Sequence, residues 1–159
     1  MKIAIVSDTH SRGDTVATAL GLIAPYHVEL ILHCGDIADA ETVALFPANT
    51  HFVFGNCDDD RAGIKAAVDQ AGATLHEPFG NLELAGKMIA FLHGDDTRLL
   101  QDLERSEAFD YLFHGHTHVA KDQTVGRTRV INPGALYRAR QKSFVILDLQ
   151  SGVVESVVV

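Results

Sequence analysis

Apolar residues in the first half of the chain form short unbroken runs, and longer amphipathic segments separate them. The runs are rich in Ile, Val and Phe, which is typical of strands covered on both faces, and they lie at 2–7, 28–33 and 51–54. The amphipathic segments predict helices at 14–24, 40–46 and 60–71. This alternation of strand and helix predicts a parallel sheet with helices packed on it.

Residues that cap or break helices set the predicted boundaries. We expect Asp14 and Asp39 to be N-caps, because a short carboxylate side chain accepts hydrogen bonds from the free N–H groups of a first helical turn. The predicted helix ends are marked by Pro25, Pro47 and Gly72.

After Gly80 the pattern changes to shorter β-rich runs. The segment NLELAGKMIAFLHG predicts a hairpin that turns at Gly86-Lys87. A helix is predicted at 96–105, with Asp95 or Asp96 as its cap. Further strands are predicted at 110–114, 119–125, 128–131, 143–149 and 153–158. The sequence therefore predicts two mixed sheets packed together with helices outside, in one domain of residues 1–159.

Five of the apolar runs end in side chains that can bind a metal ion. The five segments are IAIVSDTH (3–10), ELILHCGD (29–36), HFVFGNCD (51–58), MIAFLHGD (88–95) and DYLFHGHTH (110–118). In open α/β sheets ligands bind beyond the carboxyl ends of the strands, so we expect these tips to converge. The predicted metal ligands at the tips are Asp8, His10, Asp36, Asn56, His93, His116 and His118.

The ligand types indicate which metals this centre would hold. Mixed imidazole and carboxylate ligation suits manganese, iron, nickel or zinc better than calcium. Seven ligands are too many for one small cation but suit two, if one carboxylate bridges them. We therefore expect two divalent transition-metal ions, with manganese as the first expectation.

Composition excludes several classes of protein. The 159 residues carry a formal net charge of −8, which disfavours long nucleic acids and anionic membranes as partners. No run approaches the roughly 18 apolar residues of a membrane span, and the first residues form a strand pattern rather than a leader. With only two cysteines, a disulfide framework is not expected, and the sequence predicts a cytoplasmic protein.

The set of strand-end motifs resembles the signature of the calcineurin-like metallophosphoesterases. The Gly-Asn-Cys-Asp segment (55–58) and the short length resemble the small YfcE-type phosphodiesterase subgroup. The resemblance, which covers residues 3 to about 134, implies a four-layer α/β/β/α sandwich. It implies one metal ion bound by Asp8, His10, Asp36 and His118, and a second bound by Asp36, Asn56, His93 and His116, with Asp36 bridging.

The implied activity is hydrolysis of small or activated phosphate esters, most simply phosphodiesters, by a metal-bridging hydroxide. The implied catalytic residues are Asp36, Asn56, His93, Cys57 and Asp58. Alternatives are a protein-binding scaffold of the same fold, a phosphomonoesterase and a nuclease. The resemblance is also compatible with a homo-oligomer, whose symmetry the sequence does not determine.

Cys57 stands where many relatives carry a histidine that protonates or steadies the leaving group. A thiol is a poorer proton donor than an imidazolium near neutral pH, so we expect a preference for acidic leaving groups. A side chain that merely packs beside the site is the alternative for Cys57. Asp58 is expected to orient an imidazole. The alternative is that the run from Asp58 to Asp60 caps the following helix.

Other polar residues are assigned on weaker grounds. Arg12 follows the first motif and is a candidate for a phosphate contact, whereas a solvated surface is expected for a basic rim of Arg138, Arg140 and Lys142. His33 and His114 are expected to be buried. We expect no role for the three histidines on predicted loops or strand edges, His27, His51 and His76.

Overall fold

The computed structural model describes all 159 residues, and its helices and strands follow the predicted order closely. The strands are β1 (Lys2–Val6), β2 (Leu30–His33), β3 (Thr50–Val53), β4 (Thr74–His76), β5 (Gly80–Leu84), β6 (Lys87–Phe91), β7 (Tyr111–Phe113), β8 (Lys121–Val125), β9 (Thr128–Asn132), β10 (Ser143–Asp148) and β11 (Val154–Val158). The helices are α1 (Gly13–Ile23), followed by a 3-10 turn (Ala24–Tyr26), α2 (Ala40–Val43), α3 (Arg61–Ala71) and α4 (Thr97–Arg105).

The strands form two mixed sheets. The first sheet has six strands in the order β11-β10-β1-β2-β3-β4, and the second has five in the order β5-β6-β7-β9-β8. In the first sheet β1 to β4 run parallel, while β10 and β11 add an antiparallel edge. In the second sheet β6, β7 and β9 run parallel, and β5 and β8 flank them antiparallel.

Three apolar layers hold the sheets and helices together. Alternation along β1 shows why: Ala4 and Val6 pack with α1, α2 and α3, whereas Ile3 and Ile5 pack against the second sheet. Both isoleucines are fully buried, and each such side chain contributes on the order of 1.5–3 kcal/mol. A third layer joins Leu103 of α4 to the outer face of the second sheet. The order helices, sheet, sheet, helix confirms the predicted α/β/β/α architecture.

Local boundaries differ from the predictions at the start of α1 and at the hairpin turn. Arg12, not Asp14, occupies the N-cap position of α1, and no side chain caps this helix. Asp14 lies instead in the first turn, where its charge suits the helix dipole. The hairpin turns one residue earlier than predicted, at Ala85 and Gly86, which both have positive φ as a two-residue type I′ turn requires.

The remaining differences concern short elements. Helix α2 covers only Ala40–Val43 rather than 40–46, although Asp39 is its N-cap as predicted and accepts a hydrogen bond from Thr42. Strand β4 was not predicted, because its three partly exposed residues carry too little periodicity to stand out. No helix is long and apolar enough to cross a bilayer. That all 159 residues form one domain stays a prediction.

The topology places the polar strand tips at one edge of the molecule. Strands β1, β2 and β3 run parallel in one sheet, and β6 and β7 run parallel in the other. Each of these strands ends where one of the five motif segments begins its polar part, so the loops after them meet in a crevice.

Candidate metal centre

Asp36, in the loop after β2, lies at the middle of the cluster. Its Oδ2 atom is 3.3 Å from Nε2 of His10, and its Oδ1 atom is 3.4 Å from Nε2 of His93. One carboxylate therefore faces imidazoles from the loops after β1 and β6, which is the placement expected of a bridging group.

The other predicted ligands extend the cluster on both sides of Asp36. Oδ1 of Asp8 lies 3.1 Å from Nε2 of His118, and Oδ1 of Asn56 lies 3.1 Å from Nε2 of His93. The ring of His116 packs edge-on against that of His93, with centroids 5.1 Å apart. The structure thus brings all seven predicted side chains into one connected group.

Unpartnered atoms within the group indicate that these residues fit metal ions. Oδ1 of Asp8 and Nε2 of His10 are buried but accept or donate no hydrogen bond, a state that ordinarily costs on the order of 1–3 kcal/mol per group. Nδ1–H of His93 donates to the carbonyl of Cys34, which leaves Nε2 to face two oxygen acceptors, on Asp36 and Asn56. A cation between such donors removes the mismatch.

Potential ligand atoms also lie close enough to share ions. Two groups of atoms within 4.8 Å of one another are Asp8 with His10 and His118, and Asp8 with Asp36 and His93. Their assignment as ligands of particular ions stays a prediction, but the donor set suits divalent cations of the predicted kind.

Backbone strain is concentrated at the same residues. Five of the seven have a left-handed backbone, with φ of 55° at Asp8, 43° at His10, 57° at Asp36, 66° at His116 and 57° at His118. Such non-glycine conformations cost on the order of 1–3 kcal/mol each and persist only where the surroundings hold them. Asp8 and His10 are held by backbone hydrogen bonds between loops. Asp8 N–H donates to the carbonyl of Gly35, and His10 N–H donates to the carbonyl of Asp36.

Motif glycines let the loops approach the carboxylates. A Cβ added at Gly55 would overlap Oδ1 of Asp36, and one at Gly115 would lie 2.6 Å from Oδ2 of Asp8. A Cβ at Gly35 would lie 2.8 Å from Nδ1 of His93, and the φ of this glycine is +87°. The Gly-Asp, Gly-Asn and Gly-His pairs of the sequence are therefore explained by close packing of backbone against predicted ligands.

The ionisation of His93 and that of Asp36 depend on each other. Burial disfavours a charge on His93, but its hydrogen bond with Asp36 and the negative charge of that residue outweigh burial and raise the pKa of His93 to about 9. Burial likewise opposes ionisation of Asp36, yet hydrogen bonds from His93 and Cys57 hold its pKa well below its usual range. Asp36 is therefore a carboxylate throughout the physiological pH range, as a ligand must be.

Asp58 supports the centre through the backbone and forms no hydrogen bond with an imidazole. Its buried carboxylate accepts hydrogen bonds from the N–H groups of Asp36, Ala38 and Gly55, at 3.1, 2.6 and 2.7 Å. Burial raises the pKa of Asp58. The cap of α3 is Asp60, not Asp58. We therefore describe Asp58 as a positioning residue that ties the loop after β2 to the loop after β3.

Cys57 lies at the exposed rim of the centre. Its Sγ atom is within 4.8 Å of ligand atoms of His10 and Asp36, and its N–H donates to Oδ1 of Asp36 at 2.8 Å. Burial and the neighbouring carboxylates raise the pKa of the Cys57 thiol to about 11. The side chain is thus directed toward the centre rather than packed away from it, and it holds its proton firmly.

Asn132 organises the last motif loop and was not among the predicted site residues. Its side-chain NH₂ donates to the carbonyl of Gly115 at 2.8 Å and to the hydroxyl of Thr117 at 3.0 Å, while its oxygen accepts from Gly134. The composition of the Asn-Pro-Gly turn does not indicate what the turn contacts. Only the family resemblance, which reaches residue 134, placed this turn near the site.

His33 is buried, as expected, and connects two of the loops. Gly35 N–H donates to its Nδ1 atom, so Nε2 carries the proton and donates to the hydroxyl of Thr9 at 3.1 Å. The ring stacks on Phe52 and meets Phe46 edge-on. Complete burial lowers the pKa of His33 to about 3, so this histidine is a neutral structural residue.

This neutral histidine predicts a specific loss of stability in acid. Unfolded His33 takes up a proton below its ordinary pKa of 6.5, whereas folded His33 does so only near 3. Its contribution is therefore complete above pH 6.5 and decreases by up to about 1.4 kcal/mol per pH unit as the pH falls from 6.5 toward 3. Urea unfolding of metal-free protein at pH 7.0 and 4.5 measures the slope. In the His33→Gln variant the free energy of unfolding should depend less steeply on pH, by the equivalent of nearly one proton taken up on unfolding. Equal pH dependence in both proteins would contradict a buried, neutral His33.

Comparison with known proteins places the chain in a family. Residues 1–152 match the calcineurin-like phosphoesterase superfamily domain. Phosphodiesterase MJ0936 of Methanocaldococcus jannaschii is 30% identical over 138 residues, covering 84% of this chain and 83% of the relative. The probable metallophosphoesterase YsnB of Bacillus subtilis is 30% identical over 165 residues, covering 95% of this chain and 86% of the relative.

Solved structures agree with this placement. A structure described as a novel archaeal phosphodiesterase superposes with a TM-score of 0.92 over the full length of both chains, at 26% identity. Yfce, a phosphoesterase from E. coli, superposes with a TM-score of 0.70 at 21% identity over 99% of this chain and 98% of its own. Vps29 of Entamoeba histolytica, complexed with Zn²⁺, superposes with a TM-score of 0.71 at 19% identity, over 100% of this chain and 98% of its own. The last two show likeness of fold alone.

The matching domain spans nearly the whole chain, and both relatives align over most of their length. The predicted enzyme class, a metal-dependent phosphoric ester hydrolase, and the predicted family are therefore confirmed. This chain belongs to the calcineurin-like phosphoesterase superfamily.

Proposed function

We propose that the chain is a dinuclear-metal phosphodiesterase that hydrolyses small or activated phosphate esters. The observation that carries this proposal is the shared position of Asp36, whose two carboxylate oxygens face His10 and His93 from different loops. One ion would be held by Asp8, His10, Asp36 and His118, and the other by Asp36, Asn56, His93 and His116. When bound, two divalent ions neutralise charge on phosphate oxygens and lower the pKa of water.

The residues of the chain contribute positioning and charge. The Cys34 carbonyl fixes the orientation of the His93 ring by accepting its Nδ1 proton, and Asp58 fixes the loop that carries Asp36. Because these groups are buried, they hold the donors in place before substrate arrives, and little reorganisation remains for the reaction itself.

Two clefts that open beside the centre suit the two ester arms of a phosphodiester. One, of about 490 Å³, is bordered by His93 and Gly55. The other, of about 710 Å³, is bordered by Arg12 and Tyr137, whose ring packs against His10. A monoester would fill only one of them, which favours the diester over the monoester within the proposed function.

Hydrolysis of bis(p-nitrophenyl) phosphate by chelator-treated protein, with and without added manganese, tests the proposal. We expect turnover that depends on added metal and saturates at two ions per chain in a metal-content measurement. Metal-independent turnover, or one ion per chain at saturation, would contradict the dinuclear assignment. Repeating the assay with nickel, iron and zinc decides the preferred ion.

A protein-binding scaffold is the second candidate function, favoured by the likeness of fold to Vps29. The seven-residue cluster with its unpartnered buried atoms favours catalysis instead. Failure of any metal to support hydrolysis of diesters or monoesters would favour the scaffold. A nuclease is disfavoured by the net charge of −8. A cytoplasmic location and the oligomeric state stay predictions.

Cys57 predicts a steep dependence of rate on the acidity of the leaving group. A thiol of pKa about 11 donates a proton weakly, so the leaving group must depart largely as an anion. We expect kcat/KM to fall steeply along a series of phosphodiesters from nitrophenyl to alkyl leaving groups. The Cys57→His variant should flatten this dependence and raise alkyl-ester turnover by roughly 10–100-fold, whereas the Cys57→Ser control should keep it steep. A flat series in the unmodified protein would exclude this role of Cys57.

A further inference from the structure

We propose, on the basis of the proposed phosphodiesterase function, that the larger cleft binds a second phosphate group of the substrate, carried by one ester arm. The cleft is formed by Arg12, Tyr137, Arg138 and Lys142 together with the start of α1, and it opens beside His10. The substrate would thus be a diester with a phosphate monoester a short distance from the bond that is cleaved.

Tyr137 holds the cationic side chains next to the centre. The guanidinium carbon of Arg12 lies 4.8 Å from the centroid of its ring and that of Arg138 lies 5.1 Å from it. The ring of His10 packs on the same tyrosine, with centroids 5.1 Å apart. One aromatic side chain therefore places two planar cations beside a predicted metal ligand, where they can meet a substrate already bound there.

These cations are not neutralised within the chain. None of Arg12, Arg138 and Lys142 has a carboxylate oxygen within the 4.0 Å of an ion pair, and Lys142 donates instead to the neutral hydroxyl of Thr15. Arg140 borders the adjoining cleft beside His118 and likewise forms no ion pair. In a chain of net charge −8, the collection of uncompensated cations along one cleft favours an anionic partner there.

Backbone donors add to the same cleft. Helix α1 has no side-chain cap, and the N–H groups of Gly13 and Asp14 donate no hydrogen bond within the chain. Both residues border the cleft. Free N–H groups and a helix dipole reinforce the guanidinium groups as donors to a phosphate. The Asp14 carboxylate is the one opposing charge at the cleft, which makes it a useful variant.

The smaller cleft has the opposite electrostatic character. It is bordered by Glu77, Asp95 and Asp96, against a single arginine, Arg61, which lies over the ring of Phe54 at 4.8 Å. A second phosphate would be repelled there. The two arms of the diester are therefore distinguished, with the phosphorylated arm on the His10 side and the uncharged arm on the His93 side.

Two chromogenic substrates test this inference. The p-nitrophenyl ester of thymidine 5′-phosphate, with and without a 3′-phosphate, offers the same reacting group with one charged group added. We expect kcat/KM to be roughly tenfold or more higher for the 3′-phosphorylated ester, mainly through a lower KM, because a charge-assisted contact is added without a change at the reacting atoms.

Charge variants locate the effect. The preference is the ratio of kcat/KM for the 3′-phosphorylated ester to kcat/KM for the unphosphorylated ester. The Arg12→Gln/Arg138→Gln double variant should bring this ratio close to one, and Asp14→Asn should increase it. Arg105→Gln should leave the ratio unchanged. Arg105 is a matched control, since it is exposed and unpaired on α4 against the other sheet. If the unmodified protein hydrolyses both esters at equal kcat/KM, the second phosphate site is excluded while the phosphodiesterase function stands. A preference that survives the double variant would also exclude this cleft.

Anion binding without turnover separates this inference from the proposed function. Metal-free protein titrated with inorganic phosphate should show saturable amide NMR shifts at residues 13–15 and 137–139, and the double variant should lose them. If neither ester is hydrolysed with any metal, the phosphodiesterase function fails, and these shifts alone decide whether the cleft binds phosphate. Absence of the shifts would overturn the inference.

Discussion

Replacing Asp36 by alanine should reduce diester hydrolysis by at least about 10³-fold, equivalent to about 4 kcal/mol of transition-state stabilisation. The two carboxylate oxygens of Asp36 face imidazoles of different loops, at 3.3 Å from His10 and 3.4 Å from His93. Its loss would deprive both proposed metal positions of a ligand at once. Steady-state kinetics with bis(p-nitrophenyl) phosphate, together with metal content, measure the effect.

The same variant has a readout that does not need metal. In metal-free protein the raised pKa of His93, about 9, opposes the effect of burial and depends on the hydrogen bond and charge of Asp36. Asp36→Ala should therefore lower the pKa of His93 below its ordinary 6.5, as followed by NMR titration. Asp69→Ala, which removes an exposed carboxylate paired with Lys65, is the matched control and should change neither quantity. Activity of Asp36→Ala within tenfold of the unmodified protein would exclude the bridging role.

Replacing Gly55 by alanine should disrupt both the centre and the fold around it. The added Cβ would overlap Oδ1 and the backbone nitrogen of Asp36, and would lie 2.9 Å from its Cγ. Neither the strained loop of Asp36 nor the buried end of β3 has room to relax, so we expect a loss of about 1–3 kcal/mol in the free energy of unfolding. Displacement of the carboxylate should reduce activity by more than roughly 100-fold.

Gly21→Ala is the matched control for this substitution. Gly21 lies on the exposed face of α1, and a Cβ added there meets no atom within 4 Å. Alanine should therefore stabilise the protein by about 0.5–1 kcal/mol and leave activity unchanged. Urea unfolding and diester hydrolysis compare the two variants. If Gly55→Ala is as stable and active as Gly21→Ala, the close approach of this loop to Asp36 is not required.

The apolar runs predicted the sheets well because burial on both faces leaves a strong local signal. Residues 3–6 of strand β1 are IAIV, and all four are fully buried between the helices and the second sheet. Strand β4 was missed because its Thr-Leu-His sequence is partly exposed at an edge. The cap of α1 was misplaced because Asp14 has the chemistry of a cap, whereas the loop that enters the helix from the centre places Arg12 at that position.

Site residues could be predicted where they form a recognisable motif within a short segment of the sequence. Asp8 and His10, or His116 and His118, form spacings that can be recognised along the chain. The roles of Asp58 and Asn132 were not predictable, because each acts through hydrogen bonds to backbone groups of other loops. Arg138 and Lys142 were expected to be solvated surface, since their position beside Arg12 and His10 depends on contacts between residues more than 120 positions apart.

By itself the sequence determined two mixed sheets with helices outside, the motifs that carry the resemblance to the family, and the seven side chains that meet at the carboxyl ends of the strands. These depend on hydrophobic periodicity and on residue type, which are properties of short segments. Only the tertiary structure decided which oxygen of Asp36 faces which imidazole, that the Cys57 thiol is directed toward the centre, and that one cleft is cationic and the other acidic. Distances and electrostatic fields between loops depend on packing over the whole chain, and no short segment contains that information.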